Sequence, residues 1–133
     1  MVRNRLWVTV ALAGVVSGLG SPSAAQSQPA PGSMNAWLQC RAAAAHALDF
    51  MRDPATTAGR DATSVAQTQT MIARAVDLDR RFEGQISAHN MGLRSTAELN
   101  ALQARFASQF SGEAGLPLAF RTLQACEAEL NAP

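Results

Sequence analysis

In this 133-residue chain the side chains that could do chemistry are few: two cysteines, two histidines and a handful of carboxylates on apolar helix faces. Cys40 sits in "NAWLQCRAAAAHALDF" and Cys126 in "LQACEAEL". Neither has a second thiol three residues away, so there is no CxxC pair to make a reactive dithiol and no CxxCH to hold a haem. Two distant thiols either stay free or join each other. The compartment decides which.

The amino terminus reads as an address. Arg3 and Arg5 stand without an acid, Leu6 to Leu19 is an apolar run, and "SPSAAQ" follows. Ser23 and Ala25 then occupy the minus-three and minus-one positions of a cut before Gln26. A basic head, about 14 apolar residues and small residues at the cut make 1–25 a cleavable secretory signal. The run is shorter than the roughly 20 residues needed to span a bilayer, so no stable membrane anchor is expected after cleavage. Every basic residue is an arginine and alanine is abundant. That composition points to a GC-rich bacterial genome and hence to the periplasm, or to secretion. In such an oxidising compartment Cys40 and Cys126 are expected to pair, closing a loop of about 86 residues worth roughly 4 to 5 kcal/mol in a chain-entropy treatment.

Helix phasing agrees with that pairing. Trp37, Cys40, Ala44, Ala47, Leu48 and Met51 recur at three and four residues, and so do Leu116, Ala119, Phe120, Leu123, Cys126 and Leu130. Both cysteines therefore face inward. The first helix runs over 34–52, stopped by Pro54; 54–61 reads as a loop. A second helix is capped by Ser64 with Gln67 and reaches Asn90, where Gly92 ends it. A third starts at Ser95 with Glu98 in capping-box spacing and carries Leu99, Leu102, Phe106 and Phe110, and a fourth opens at Pro117 and runs to Asn131. Strand signals are missing. The expectation is an all-α, up-and-down bundle of about four helices over 34–133, its first and last helices joined by the disulfide, preceded by a disordered tether at 26–33. The second helix is long enough that it must overhang or bend.

Its inward face, with Met71, Ile72, Ala75, Val76, Leu78, Phe82 and Ile86, also holds Asp79 and Glu83. Glu127 lies inward on the last helix and Arg41 borders the inward side of the first. An unpaired carboxylate in an apolar seam is costly, so this acid cluster needs partners or water. Ion pairs at the rim are the plain reading; an acid-responsive cleft is the sharper one.

Other chemistries find little support. Di-iron bundles use Glu-x-x-His pairs, and neither histidine has a glutamate three residues before it. His46 is expected on the solvent side near Asp49, and His89 at a helix end suits the dipole as a cation. Asp77 and Asp79 diverge by about 200° on a helix, so Asp77 is expected to pair with Arg81 instead. There is no GxSxG elbow and no glycine-rich phosphate loop. No catalytic residue, metal site or cofactor is assigned. Nine arginines against ten acids remain after the signal, and this near-neutral balance argues against nucleic acid.

Surface remains. Leu38, Phe50 and Leu118 lie off the main apolar stripes and are the expected partner surface. A homodimer, or helices wrapping both sides of the first helix, would also cover Leu38 and Phe50. The functional expectation is a non-catalytic exported protein that binds an envelope protein or a hydrophobic ligand. An acid-responsive periplasmic chaperone or sensor and a metal-binding protein are the alternatives.

Overall fold

The structure is a computed structural model that describes residues 28–133. The expected signal, 1–25, lies outside the described residues. The order of elements is α1 (Met34–Arg52), α2 (Pro54–Thr57), α3 (Ala62–Asn90), α4 (Thr96–Ala107), a 3₁₀ turn (Ser108–Phe110) and α5 (Gly115–Leu130). Among the described residues there is no strand. None of the described helices is long and apolar enough to cross a membrane.

Caps set the boundaries, and two differ from expectation. The Ser33 hydroxyl oxygen accepts from the Ala36 N–H to start α1, while its O–H donates to the Ala30 carbonyl at 2.6 Å. The stretch at 54–61 is not all loop. Asp53 accepts from the Ala55 N–H, and Pro54, with its φ already helical, begins one further turn. α3 begins before Ser64, because Asp61 is the cap: its carboxylate accepts from the Ser64 N–H at 2.8 Å. A carboxylate satisfies an orphan N–H and also favours the positive end of the helix dipole, so Asp61 out-competes the hydroxyl three residues later. α4 has the expected reciprocal capping box of Ser95 and Glu98.

α5 opens at Gly115, ahead of Pro117. A Cβ at Gly115 would lie 1.9 Å from the Phe110 carbonyl oxygen, so only glycine lets the 3₁₀ turn and α5 meet this closely.

The first helix is the hub. α3, α4 and α5 each pack on α1, while the backbones of those three scarcely approach one another. Burial therefore runs round most of α1, from Trp37 to Cys40 and again over Ala42, Ala43 and Ala44. The alanines matter because small side chains let neighbouring backbones come close. Arg41, Ala45, Asp49 and Arg52 keep one side of α1 partly or fully in water. Phe82, Phe110 and Leu38 are the largest side chains fully withdrawn from solvent; each such burial contributes on the order of 1.5 to 3 kcal/mol.

Directions follow from the pairs. Trp37 stacks on Phe82 and Arg41 meets Asp79, so α1 and α3 are antiparallel. Cys40, early in α1, meets Cys126, late in α5, so these two are antiparallel as well. At 29 residues α3 is about 43 Å long. Its first fully buried side chain is Thr68. The extra length thus overhangs the core at the amino-terminal end.

Candidate functional site

The two thiols are one disulfide, with Cα atoms 6.0 Å apart. The bond ties the start of α1 to the end of α5, and no free cysteine remains among the described residues.

The expected acid cluster separates into three different environments. Asp79 is half-buried and accepts from Arg41 Nε at 3.0 Å, which links α3 to α1. Glu127 takes both Nε, at 2.9 Å, and Nη2 of Arg74, which links α5 to α3. The hydrogen bonds it donates to Glu127 hold the Arg74 guanidinium above its usual range, so the pair stays ionised on the arginine side. Glu83 is solvent-exposed and joins neither pair. It fails to face inward because α4 and α5 dock on α1 and leave that flank of α3 uncovered. Asp77 meets Arg80 at 3.2 Å and not Arg81, whose guanidinium instead donates to Asn131 Oδ1 at 3.2 Å.

The expected partner surface does not hold together. Leu38 is 1% exposed, covered by the helices that wrap α1, so it presents nothing to a partner. Leu118 is half-buried against the cluster of Phe110, Ala42, Ala43 and Ala119. Of the three only Phe50 remains exposed.

A different apolar surface lies between α3 and α5. Because both helices dock on α1 without closing on each other, a cleft of about 110 Å³ opens between them. Met51, Ala75, Leu78 and Leu123 are its buried members, and Met71 and Phe120 stand nearer to water. Arg74, Gln124 and Glu127 supply the polar lining. Met71 was expected in the core but is 47% exposed, because no helix covers that face of α3 at its level. Methionine walls adapt to irregular apolar shapes, and the Arg74–Glu127 pair gives the cleft a polar edge.

Met91 and Leu93, in the α3–α4 connection, are the most exposed large apolar side chains among the described residues. Asn90 brackets this turn, its side chain accepting from the Arg94 N–H and donating to the Arg94 carbonyl, both at 3.0 Å.

His46 does not point to open solvent. It is half-buried, its ring centroid 6.3 Å from that of Phe110, because α4 and the 3₁₀ turn cover this side of α1. It shares a polar cleft with Asp49, Asn100 and Gln103 over a floor of alanines. His89 is exposed on the last turn of α3, with Nδ1 2.9 Å from the Gln85 carbonyl oxygen. Among the described residues no group of three or more His, Cys, Asp or Glu side chains is gathered closely enough to hold a metal ion.

No protein-family model, curated protein or solved structure matches the chain.

Proposed function

We propose that this is an exported, non-catalytic binding protein of the bacterial envelope, and that the cleft between α3 and α5 receives an apolar anchor side chain of a partner protein. The observation that carries the reading is the cleft itself: an apolar floor, a half-exposed methionine wall and an ion pair at its edge. Its size selects among ligands. An apolar cavity of roughly 150 Å³ houses a benzene ring, so about 110 Å³ suits one leucine- or methionine-sized group and not a lipid chain. Single buried anchors ringed by polar contacts dominate many protein interfaces. Export is supported by the basic, apolar and small-residue succession of 1–25 and by the disulfide, which persists in an oxidising compartment.

The test is a photo-reactive side chain placed at Met71 in cells producing the full chain, with Arg80 on an exposed face as control. The reading expects one discrete adduct from position 71, absent at position 80 and abolished by Leu123→Trp, which fills the cleft. Equal or no labelling at the two positions overturns it.

A further inference from the structure

We infer that the Cys40–Cys126 disulfide is a thiol-exchange site, approached through a groove that admits small, non-anionic thiols and is guarded by the amino-terminal strap Gln28–Pro31. The groove, of about 250 Å³, lies on the opposite flank of α5 from the apolar cleft and has both cysteines in its lining. Pro29 and Pro31 line it from the strap side, Gln39 and Gln109 from α1 and the 3₁₀ turn, and Glu129 from α5.

Three features make it a guarded port. First, the cysteines are only 4% and 7% exposed although they line an open groove, and the strap lines that same groove. Second, the strap is folded back by a specific turn. Gly32 adopts φ +77°, the Ser33 N–H donates to the Ala30 carbonyl at 3.1 Å, and the Ser33 hydroxyl donates to the same oxygen. Third, among the described residues the only ionisable side chain in the lining is an acid, Glu129, whose carboxylate also comes close to Gly32. The attacking species in exchange is a thiolate. A carboxylate in the port disfavours a thiol that carries further negative charge, while one bearing an ammonium group is favoured.

The chemistry balances with two thiols. The thiolate of the first attacks one cysteine sulfur, the S–S bond breaks, and the other cysteine leaves as a thiolate that takes a proton from water. The second thiol displaces the first as a small-molecule disulfide, and the protein is left with two reduced cysteines. Reduction frees the end of α5, whose packing partners are α1 and the 3₁₀ turn. The inference stands apart from the binding reading, because its readout is exchange and not capture.

The test follows reduction of the native full chain by alkylation and mass, using cysteamine, mercaptoethanol and mercaptoethanesulfonate. Each rate is divided by that thiol's rate on a neutral small disulfide. Direct attack through the groove gives rates linear in thiol concentration, ordered cysteamine, mercaptoethanol, mercaptoethanesulfonate. Glu129→Gln compresses the order by about threefold, the size of a unit-charge interaction a few ångströms away in a water-like medium. Gly32→Val and the double variant Pro29→Gly/Pro31→Gly loosen the strap and speed reduction by all three thiols, with global unfolding measured alongside. Rates that saturate at the unfolding rate, or strap variants that reduce no faster than the parent, overturn the inference. An order of thiols unaffected by Glu129→Gln overturns its charge selectivity.

Discussion

Trp37 of α1 stacks on Phe82 of α3 with ring centroids 5.8 Å apart and planes inclined by 24°, yet its indole N–H has no hydrogen-bond partner among the described residues. The stack fixes one end of the α1–α3 interface, and the orphan donor is the cost of placing a tryptophan there. A buried donor left unsatisfied costs about 1 to 3 kcal/mol, whereas losing ring area costs less when another aromatic takes its place. Trp37→Phe is therefore expected to leave stability within about 1 kcal/mol of the parent or to raise it. Trp37→Ala, which removes the stack and opens a cavity, should cost about 3 to 5 kcal/mol. Urea unfolding of the two variants checks the pair, and a Phe variant as damaged as the Ala variant would show that the indole nitrogen is satisfied in solution.

Acid should act first on the helix caps. The Ser64 backbone N–H, then its side chain, holds the Asp61 carboxyl below its usual range, and Ser95 does the same for Glu98. A carboxyl whose folded value is depressed stabilises above its ordinary value, and that stability is lost as pH falls through the folded value. Melting temperature is thus expected to be flat from pH 8 to about 5 and to fall below roughly pH 4.5. In Asp61→Asn/Glu98→Gln, which keeps both caps without the charge, the fall is shallower. A drop already present between pH 7 and 5, and unchanged in that variant, would revive the acid-responsive alternative.

The disulfide should carry a large share of net stability. Its 86-residue separation gives about 4 to 5 kcal/mol in the chain-entropy treatment, against the roughly 5 to 15 kcal/mol typical of a whole domain. The double variant Cys40→Ala/Cys126→Ala is expected to melt at least about 15 °C lower. Loss should begin in α5, since among the helices it leans chiefly on α1. Hydrogen exchange in the variant should show α5 amides losing protection ahead of α3. Uniform loss across all helices would mean that the bundle is more cooperative than its hub geometry implies.

Much of this architecture was legible in the sequence, and the misplaced buried faces share one cause. The cysteines were placed inward because three- and four-residue spacing is robust to errors in helix ends, and Ser95 with Glu98 was legible because both halves of the capping box lie in one short segment. Leu38, Glu83 and Met71 were misplaced because each helix was assigned a single buried stripe of standard width. That assumption fails when one helix sits at the centre: α1 buries nearly its whole girth, which exposed Leu38 as core, and the outer helices bury less, which returned Glu83 and Met71 to solvent. The alanine run at 42–45 was the available signal, since residues that small are of most use where backbones crowd. The cleft and the strap over the disulfide were not legible, because both arise from gaps between elements distant in sequence.

The junction of the 3₁₀ turn with α5 offers the sharpest structural test. Two glycines stand there for different reasons. Gly112 has φ +82° with nothing within 4 Å of a built Cβ, so an alanine there meets backbone strain alone. That strain is about 1 to 2 kcal/mol. Gly115 has open backbone choice but no space: its Cβ would lie 1.9 Å from the Phe110 oxygen and 2.2 Å from the Phe110 carbonyl carbon. These are backbone atoms and cannot swing aside, so the turn must shift and withdraw Phe110 from Ala42, Ala43 and Ala119. Gly115→Ala is expected to cost about 3 kcal/mol or more, at the upper end for overpacking and above the cost of Gly112→Ala. Chemical denaturation of both variants ranks them. Near-equal losses would mean that α5 starts later in solution, closer to Pro117, with Gly115 in an open turn.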